Sequence, residues 1–310
     1  MNLYRKYRPT TFDEMYGNEE TIESLQNELK KKDKSHVYLF TGQSGCGKTT
    51  VARIMANELH ASEMGIVEIN SSNNRGIDTA RSIIEQMQGY PIDGNIWVFI
   101  IDEVHKTTNE YQNAMLKPLE DTPSHVYFIL CTTNPEKLIK TVKSRCTHHV
   151  FNSLPENDIY KLLVRVHKKE SGKLDKNILK KVSENCNGSP RKSLVLLEKI
   201  IGMEDEKKIL KIIKDGVDED NEKEIKKIGY MLLNGNSSWN SVCEILNQLK
   251  DEKVEIEKIR YMILGYMQAV LLKGSQNNKA ASIMSNFIEP FYNSGFSGLV
   301  LACYDSLYSN

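Results

Sequence analysis

The sequence predicts an α/β domain built on a parallel sheet, followed by regions that are helical throughout. Within residues 36–151, apolar runs with strand character alternate with amphipathic helical segments. A glycine-rich loop at 42–49 lies between the first such strand and a helix. Residues 155–201 read as three helices, and residues 221–310 carry helical patterning without a strand signal. Alternating strands and helices are typical of a parallel sheet with helices on both faces.

The composition is that of a soluble globular protein with ample length for a hydrophobic core. The chain has 310 residues, of which 26% are charged and 40% apolar, and this length predicts two or three domains. Lysine plus arginine equal aspartate plus glutamate at 41 each, so the formal net charge is zero. Any contact with nucleic acid must then come from a local basic face, because the net charge supplies no attraction.

The cysteine pattern and the N-terminus predict an intracellular protein. None of the six cysteines forms a C-x-x-C pair, which argues against a zinc ribbon or a thioredoxin-like site. Cys46 lies inside the glycine-rich loop, a poor place for a structural disulfide, so a reducing compartment is expected. The N-terminus lacks the apolar core of a signal peptide, and no apolar run reaches membrane-spanning length. We expect a cytoplasmic location and no membrane partner.

The first strand leads directly into a phosphate-binding loop. Residues 37–41 form an apolar, partly β-branched run, and residues 50–59 have apolar side chains at helical spacing. The intervening residues fit G-x-x-x-x-G-K-[ST], in which glycines let successive backbone N–H groups point at phosphate oxygens. Lys48 would bridge the β- and γ-phosphates, and the Thr49 hydroxyl would bind Mg²⁺. The candidate nucleotide-binding residues of the loop are Gly42, Gln43, Ser44, Gly45, Cys46, Gly47, Lys48, Thr49 and Thr50.

The second and third predicted strands both end in polar residues. Residues 65–70 alternate like a strand and are followed by a polar turn and a helix over 77–88. Residues 97–101 are a continuous apolar run, which suits a parallel strand covered on both faces. Asp102 follows at its carboxyl end, where ligands bind in open α/β sheets, and would hold Mg²⁺ directly or through water. Glu103 is the candidate general base for an attacking water, although both acids could also be solvated turn residues.

The fourth strand, residues 126–131, follows a helix over 110–120 and ends at a cluster of polar side chains. If it neighbours the strand before the phosphate loop and the strand that ends at Asp102, a polar residue at its end lies beside the nucleotide γ-phosphate. Thr133 and Asn134 are the two candidates, and the residues alone leave the choice open. A short strand over 148–151 completes the sheet.

Two helical regions follow the predicted sheet. Residues 155–201 would form a small domain packed behind the nucleotide site. Apolar stripes in residues 221–310 are more often core or subunit interface than a cofactor site. The charged segment 202–220 contains the boundary between the two regions.

The N-terminus alternates aromatic and basic residues up to Pro9. It reads either as a basic arm in solvent or as an arm folded over an adenine base, with Tyr7, Arg8 and Pro9 nearest the ring. Composition alone favours the solvated arm.

Taken together, these residues resemble the clamp-loader ATPases of the AAA+ superfamily, such as the bacterial DNA polymerase III gamma/tau subunit and the small subunits of replication factor C. The resemblance covers residues 1–201 by motif and 202–310 only by helical character. The chain differs from the bacterial gamma subunit in lacking its zinc-binding cysteines, which suggests a phage-encoded version. The matching motifs are the arm Tyr4-Arg5-Lys6-Tyr7-Arg8-Pro9, the segment 70–78, Asp102-Glu103-Val104-His105, Ser144-Arg145-Cys146 and Gly188-Ser189-Pro190-Arg191.

The resemblance implies ATP and Mg²⁺ as ligands, bound between the parallel-sheet domain and a helical lid. It also favours the adenine-flanking role of the N-terminal arm over the solvated one. Arg191 would touch the γ-phosphate in its own subunit, as the sensor-2 arginine. Arg145 would complete the ATP site of a neighbouring subunit as an arginine finger, or would form only a surface ion pair. The family's sensor-1 position aligns with Thr133 better than with Asn134.

The resemblance further implies a spiral of subunits around DNA. Arg75, Arg81 and Lys106 would face its interior and contact DNA phosphates without reading sequence, or they are ordinary surface charges. Expected partners are a sliding clamp, primer–template DNA and other clamp-loader subunits in a pentamer. The implied domains are a nucleotide-binding α/β domain over 1–152, a helical lid over 153–203 and a helical collar for oligomerisation over 204–310.

These features predict a subunit that uses ATP hydrolysis to open a sliding clamp and place it on primed DNA. The alternative is an AAA+ DNA-remodelling motor such as a branch-migration helicase, which predicts a C-terminal winged-helix module with a β-hairpin. Residues 221–310 show no hairpin signal. A subunit that only scaffolds would be expected to have a damaged phosphate loop or to lack Glu103, and both are intact.

Overall fold

The computed structural model describes residues 2–235, 237–252, 254–273, 277–291 and 293–308, with only the backbone of 214–220 included. The chain divides into two compact units, Met1–Ile213 and Lys214–Asn310, and each is described by itself. The division into three domains that the sequence suggests, with boundaries after residues 152 and 203, stays a prediction.

A parallel sheet organises the first unit. The strand order, in sequence numbers, is 2-3-4-1-5, and each neighbouring pair of strands is parallel. The fourth strand therefore lies between the first and the third, which confirms the predicted fold class. Its carboxyl end separates the loop that follows the first strand from the acids that follow the third. The strands are β1 Val37–Gly42, β2 Ile66–Asn70, β3 Trp97–Asp102, β4 Val126–Thr132 and β5 Thr147–Phe151.

Both faces of the sheet are covered by helices, which explains why its strands are continuous apolar runs. Side chains alternate between the faces along each strand. Tyr38 and Phe40 pack with helix residues such as Met55 on one face. Leu39 and Phe99 pack with the helices on the other face. The helices up to β5 are α1 Leu3–Lys6, α2 Glu19–Leu29, α3 Lys48–Glu58, α4 Ile77–Gln86, α5 Asn109–Glu120 and α6 Lys140–Lys143.

Three helices after the sheet form a separate apolar cluster, and we call them the lid helices. They are α7 Glu156–Lys169, α8 Lys176–Glu184 and α9 Pro190–Ile200. Pro190 is the first residue of α9, where its missing N–H costs nothing, and the Ser189 hydroxyl accepts the Lys192 N–H as the N-cap. The N-terminal segment joins this cluster through Leu3, which is 7% exposed. The segment therefore packs against the lid helices and is not a free arm in solvent.

The charged segment 202–220 becomes helical from Glu206 onwards. Ile209 and Ile213, four residues apart, are both buried in the cluster of the lid helices. This one-face spacing of apolar residues drives helix formation in spite of the high charge. The helix is α10 Glu206–Asn234, and it contains the boundary between the two units.

In the described residues of the second unit, all regular secondary structure is helical, as the sequence predicts. Its core is one cluster of aliphatic and aromatic residues from all of its helices. None of the helices in the described parts of the chain combines the length and apolar character needed to cross a bilayer. Besides the end of α10, the helices are α11 Trp239–Asp251, α12 Ile256–Leu271, α13 Asn278–Asn286 and α14 Gly295–Tyr308.

A buried ion pair ties α12 to the segment between α13 and α14. Arg260 is 3% exposed, and its Nε lies 2.6 Å from Glu257 Oε2. The guanidinium also donates to the carbonyl oxygens of Phe287 and Ile288, each at 3.1 Å. Glu257 Oε1 accepts the Phe291 N–H at 2.7 Å. Both charges are thus paired and hydrogen-bonded, as burial requires.

We expect this pair to make the stability of the protein depend on acid pH. Burial alone would raise the pKa of Glu257, but the hydrogen bonds from Arg260 and the Phe291 N–H lower it below its ordinary value of 4.5. A carboxyl group with a lowered folded-state pKa stabilises the fold above its unfolded pKa, and that stability is lost as the pH falls through the folded pKa. Thermal unfolding from neutral pH down to about pH 3 measures this loss.

The matched variants are Glu257→Gln and Glu255→Gln, the second at an exposed position just before α12. Glu257→Gln should lower the Tm at neutral pH and flatten the fall in Tm below the ordinary pKa of the carboxyl group. Glu255→Gln should leave both unchanged. A Glu257→Gln protein with the same pH dependence as the parent would contradict the role of the pair.

Candidate nucleotide-binding site

A pocket opens where the carboxyl ends of β1, β2 and β3 meet the lid helices and the N-terminal segment. The loop after β1 and the start of α3 supply Ser44 to Thr50. Glu68 comes from the middle of β2, Asp102 from the end of β3, and Glu103 follows it. The lid helices close another side with Pro190 and Arg191. The predicted arm residues line the same pocket, together with aromatic neighbours from the N-terminal segment. These are Tyr4, Tyr7, Arg8, Pro9 and Tyr16.

The loop has the shape that a phosphate-binding turn requires. Gly42 has φ +145°, and a Cβ there would lie 2.0 Å from the Phe151 carbonyl oxygen. Gly45 has φ +79°, and a Cβ there would lie 2.4 Å from Ser189 Oγ. Only glycine fits either position. Gly47 caps α3, so the helix N-terminus and its partial positive charge point into the pocket.

Lys48 spans the loop and is only 6% exposed. Its Nζ donates to the carbonyl oxygens of Gly42 at 2.8 Å and Gln43 at 2.7 Å. These two residues begin the loop, before the part that lines the pocket. Cys46 is buried beside Lys48, with Sγ 3.9 Å from Nζ. The ammonium group is therefore held at the centre of the turn.

Thr49 and Asp102 form a pair of oxygen donors suited to Mg²⁺. Thr49 Oγ1 donates to Asp102 Oδ2 at 3.0 Å. Two neighbouring ligands of octahedral Mg²⁺, each about 2.1 Å from the ion, lie roughly 3.0 Å apart. The two side chains therefore fit the ion without rearrangement. The predicted metal ligands meet because Thr49, in the first turn of α3, reaches Asp102 at the end of β3.

Glu103 lies just beyond β3 in a left-handed conformation, with φ +53°. Its Oε2 accepts the Thr133 hydroxyl at 3.3 Å and lies 3.3 Å from His105 Nδ1. Asn134 joins this region through its backbone N–H, which donates to the Thr132 hydroxyl at 3.0 Å. The structure thus brings Thr133 to the candidate base. Which of Thr133 and Asn134 senses the γ-phosphate stays a prediction.

Burial lowers the pKa of His105 against the opposing pull of the Glu103 carboxylate. The charges of Lys137, Lys106 and Lys48 lower it further. The imidazole is therefore neutral at neutral pH, and its protonation is not needed for the geometry around Glu103.

Cationic side chains converge on the pocket from three parts of the chain. Burial lowers the pKa of Arg8, and the nearby charges of Arg53 and Arg191 lower it further. The Arg191 guanidinium lies 5.9 Å from the centre of the Tyr4 ring. With Lys48, these arginines place positive charges in the pocket opposite its three acids, Glu68, Asp102 and Glu103.

Two charged residues of the pocket, Arg53 and Glu68, are not predicted by the sequence analysis. Arg53 on α3 donates through Nε to Glu68 Oε2 on β2 at 2.7 Å, and both line the pocket. Arg53 follows Thr49 by four residues on one helix, so the two share a face. That spacing was available in the sequence. The pairing of Arg53 with Glu68 cannot be predicted in this way, because no local sequence pattern links α3 to β2.

Arg145 lies outside the pocket of its own chain. Its Nε donates to Glu120 Oε2 at 3.2 Å, and another guanidinium nitrogen donates to the Thr141 carbonyl oxygen at 2.9 Å. The surface ion pair that the sequence left open is thus present within the chain. Its role at a neighbouring subunit stays a prediction, because a single chain does not contain the other half of that site.

The predicted DNA contacts lie on neighbouring turns. Lys106 Nζ donates to Ser72 Oγ at 3.0 Å, and the Arg75 carbonyl oxygen accepts the Thr108 N–H at 3.0 Å. Arg81 on α4 is exposed and pairs with Asp78 at 3.2 Å. The turn after β2 is therefore bonded to the turn that carries Glu103. Whether these three cations contact DNA stays a prediction.

The fold and the site are similar to those of nucleotide-binding ATPases. A phosphate loop follows β1, paired acids follow β3, and a helical cluster carries an arginine onto the same pocket. Structures of the Thermotoga maritima RuvB Holliday junction branch migration motor share this fold. One has a TM-score of 0.57 at 21% identity over 72% of this chain and 79% of that chain. A likeness at this identity concerns the fold alone.

In sequence, the chain is more specifically similar to bacterial DNA polymerase III gamma and tau subunits. The family model described as DNA polymerase III, delta subunit, matches residues 17–74 and 62–155. The chain is 31% identical to the DNA polymerase III subunit tau/gamma of Haemophilus influenzae, over 93% of this chain and 46% of that protein. It is 34% identical to the gamma subunit of Buchnera aphidicola subsp. Schizaphis graminum, over 63% of this chain and 60% of that protein. The Mycobacterium bovis gamma/tau subunit is 34% identical over 65% of this chain, which spans only 39% of that relative.

Proposed function

We propose that the chain is an ATP-dependent sliding-clamp loader subunit that opens the clamp and places it on primed DNA. The observation that carries the proposal is the convergence of Lys48, Thr49, Asp102 and Glu103 at one pocket with a lid arginine, Arg191. Relatives named as DNA polymerase III gamma and tau subunits support a role in replication. The chain spans between 39% and 60% of the length of the relatives named above. The activity of the whole protein is therefore part of the proposal.

ATP would lie between the sheet and the lid helices. The α3 N-terminus and Lys48 would hold the β- and γ-phosphates, while Tyr7, Arg8 and Pro9 would flank the adenine. Thr49 and Asp102 would hold Mg²⁺, which neutralises phosphate charge when bound. Arg191 would contact the γ-phosphate from the lid, so that closure of the lid depends on the nucleotide.

Hydrolysis would use Glu103 as the base that accepts a proton from the attacking water. Thr133, which contacts Glu103, or Asn134 beside it would sense the γ-phosphate. Arg145 would leave Glu120 and stabilise the transition state in the site of a neighbouring subunit. Hydrolysis would then depend on assembly.

The wider assembly follows from the same proposal. Arg75, Arg81 and Lys106 would contact the phosphates of primer–template DNA. The helical region over 204–310 would form a collar that joins the chain to other clamp-loader subunits in a pentamer. A replication role would place the protein where the DNA is, in a bacterial or phage-infected cell.

A branch-migration motor is the second candidate, since the RuvB structures share the fold. That function predicts a C-terminal winged-helix module with a β-hairpin. The described residues of the second unit contain helices and no strand. The clamp-loader proposal is therefore better supported.

The variant Glu103→Gln tests the hydrolytic function. It keeps the size of the side chain but removes its basicity, so ATP hydrolysis should fall by about 10²- to 10⁴-fold while ATP binding stays within twofold. The protein should then accumulate as a complex with ATP, sliding clamp and primed DNA, measured by retention of labelled nucleotide. Glu110→Gln, at an exposed position in the first turn of α5, is the control and should behave as the parent. Rapid turnover by Glu103→Gln would rule out Glu103 as the base.

A further inference from the structure

The side chain of His105 lies next to the candidate base but has no part in the function proposed above. It projects from the short 3₁₀ turn Val104–Lys106 that follows Glu103. Its side chain is 9% exposed, and Nδ1 lies 3.3 Å from Glu103 Oε2. The same nitrogen lies 3.0 Å from the Thr132 hydroxyl at the end of β4.

The partners of Nδ1 determine where its proton must be. An ionised carboxylate can only accept a hydrogen bond. An unprotonated Nδ1 would face Glu103 Oε2 with a lone pair and repel it. Nδ1 therefore carries the hydrogen, which it donates to the Thr132 hydroxyl at 3.0 Å, and the Glu103 carboxylate lies 3.3 Å from the same nitrogen. The Thr132 hydroxyl also accepts the Asn134 N–H at 3.0 Å, so one network joins the two strand ends.

Glu103 needs such support because its own position is loosely fixed. It lies beyond the end of β3, and its side chain is 26% exposed. The Thr133 hydroxyl also donates a hydrogen bond to Glu103 Oε2, but the distance is long, at 3.3 Å. A general base must lie within hydrogen-bond reach of the water that it deprotonates, and a displacement of about 1 Å can reduce the rate by about 10²-fold.

We propose that His105 is a positioning residue that holds the Glu103 carboxylate against the end of β4 through its Nδ1–H. His105 would thereby set the direction from which Glu103 meets the attacking water. Thr132 fixes the ring from the other side. This assignment rests on the proposed ATP hydrolysis at the site.

The test compares replacements that keep or lose the donor at the Nδ1 position. In His105→Asn the amide nitrogen occupies the place of Nδ1, whereas in His105→Gln it occupies the place of Nε2. His105→Leu removes the donor altogether. The full chain is assayed with Mg²⁺ and ATP for kcat, KM and equilibrium ATP binding. His36→Leu is the control, since His36 bonds to the Val126 carbonyl oxygen at the amino ends of β1 and β4, the end of the sheet opposite the pocket.

The expected order of kcat is parent, then Asn, then Gln, then Leu. His105→Leu should lose about 10- to 100-fold in kcat, with the dissociation constant for ATP within twofold of the parent. His36→Leu should keep the parent kcat. A His105→Leu protein that binds ATP is folded, so its parent-like kcat would overturn the assignment. If His105→Leu does not fold, an Asn variant no faster than the Gln variant overturns it.

The outcomes separate this inference from the function on which it rests. A parent protein that does not hydrolyse ATP overturns both. A parent that hydrolyses ATP, a Glu103→Gln variant that does not, and a His105→Leu variant with normal kcat would overturn only the role of His105.

Discussion

Replacing Arg145 with alanine is expected to reduce ATP hydrolysis in the assembled protein by about 10³- to 10⁵-fold, the contribution of an arginine finger. ATP binding should stay unchanged, because Arg145 lies outside the pocket of its own chain and bonds to Glu120 and Thr141. The measurement is steady-state hydrolysis beside equilibrium ATP binding for the same preparation. The large kinetic effect with no binding effect distinguishes a residue that acts on a neighbour from one that holds its own nucleotide.

Two variants control for changes that are merely electrostatic. Lys140→Ala removes an exposed charge at the start of α6 and should leave hydrolysis unchanged. Glu120→Gln removes the partner of Arg145 within the chain and should not lower hydrolysis, because that ion pair is exposed and contributes little. Normal hydrolysis by assembled Arg145→Ala would show that the surface ion pair is the whole role of this residue.

Replacing Lys48 with alanine is expected to remove ATP-dependent clamp loading entirely. A hydrogen bond to a charged group contributes enough that ATP binding should weaken by about 10- to 100-fold, and hydrolysis should fall below detection. The loop also loses the bonds from Nζ to the Gly42 and Gln43 carbonyl oxygens. Lys32→Ala, at an exposed position between α2 and β1, is the control. Unchanged clamp loading by Lys48→Ala would contradict the phosphate-loop assignment.

Much of the first unit could be predicted because its signals are local. The β3 run was placed at 97–101 from five apolar residues, and the strand is Trp97–Asp102. The phosphate loop is predicted by its residue spacing together with the strand before it and the helix after it. The loop motif assigns Thr49 to Mg²⁺, and the rule that ligands bind at the carboxyl ends of parallel strands assigns Asp102 to the same ion. In the structure these two side chains are 3.0 Å apart.

The remaining features depend on contacts between distant parts of the chain. Glu103 accepts a hydrogen bond from Thr133, which follows β4, and His105 beside it bonds to Thr132 at the end of β4. Only the fold brings the end of β4 to Glu103. The pair of Arg145 with Glu120 joins the turn after α6 to the last residue of α5, across 25 residues. The start of α10 at Glu206 is not predicted from the sequence, because the many charged residues there outnumber the two buried ones, Ile209 and Ile213.

The central claim is that one chain binds the triphosphate and the next supplies the arginine that completes the site. Mixing two inactive variants tests this most directly. Lys48→Ala binds ATP weakly and does not hydrolyse it but keeps Arg145, while Arg145→Ala holds ATP but lacks the finger. The account predicts that the mixture hydrolyses ATP well above the sum of the two variants measured alone, and that recovery requires co-assembly. Hydrolysis by the mixture that equals this sum, from variants shown to assemble together, would contradict it.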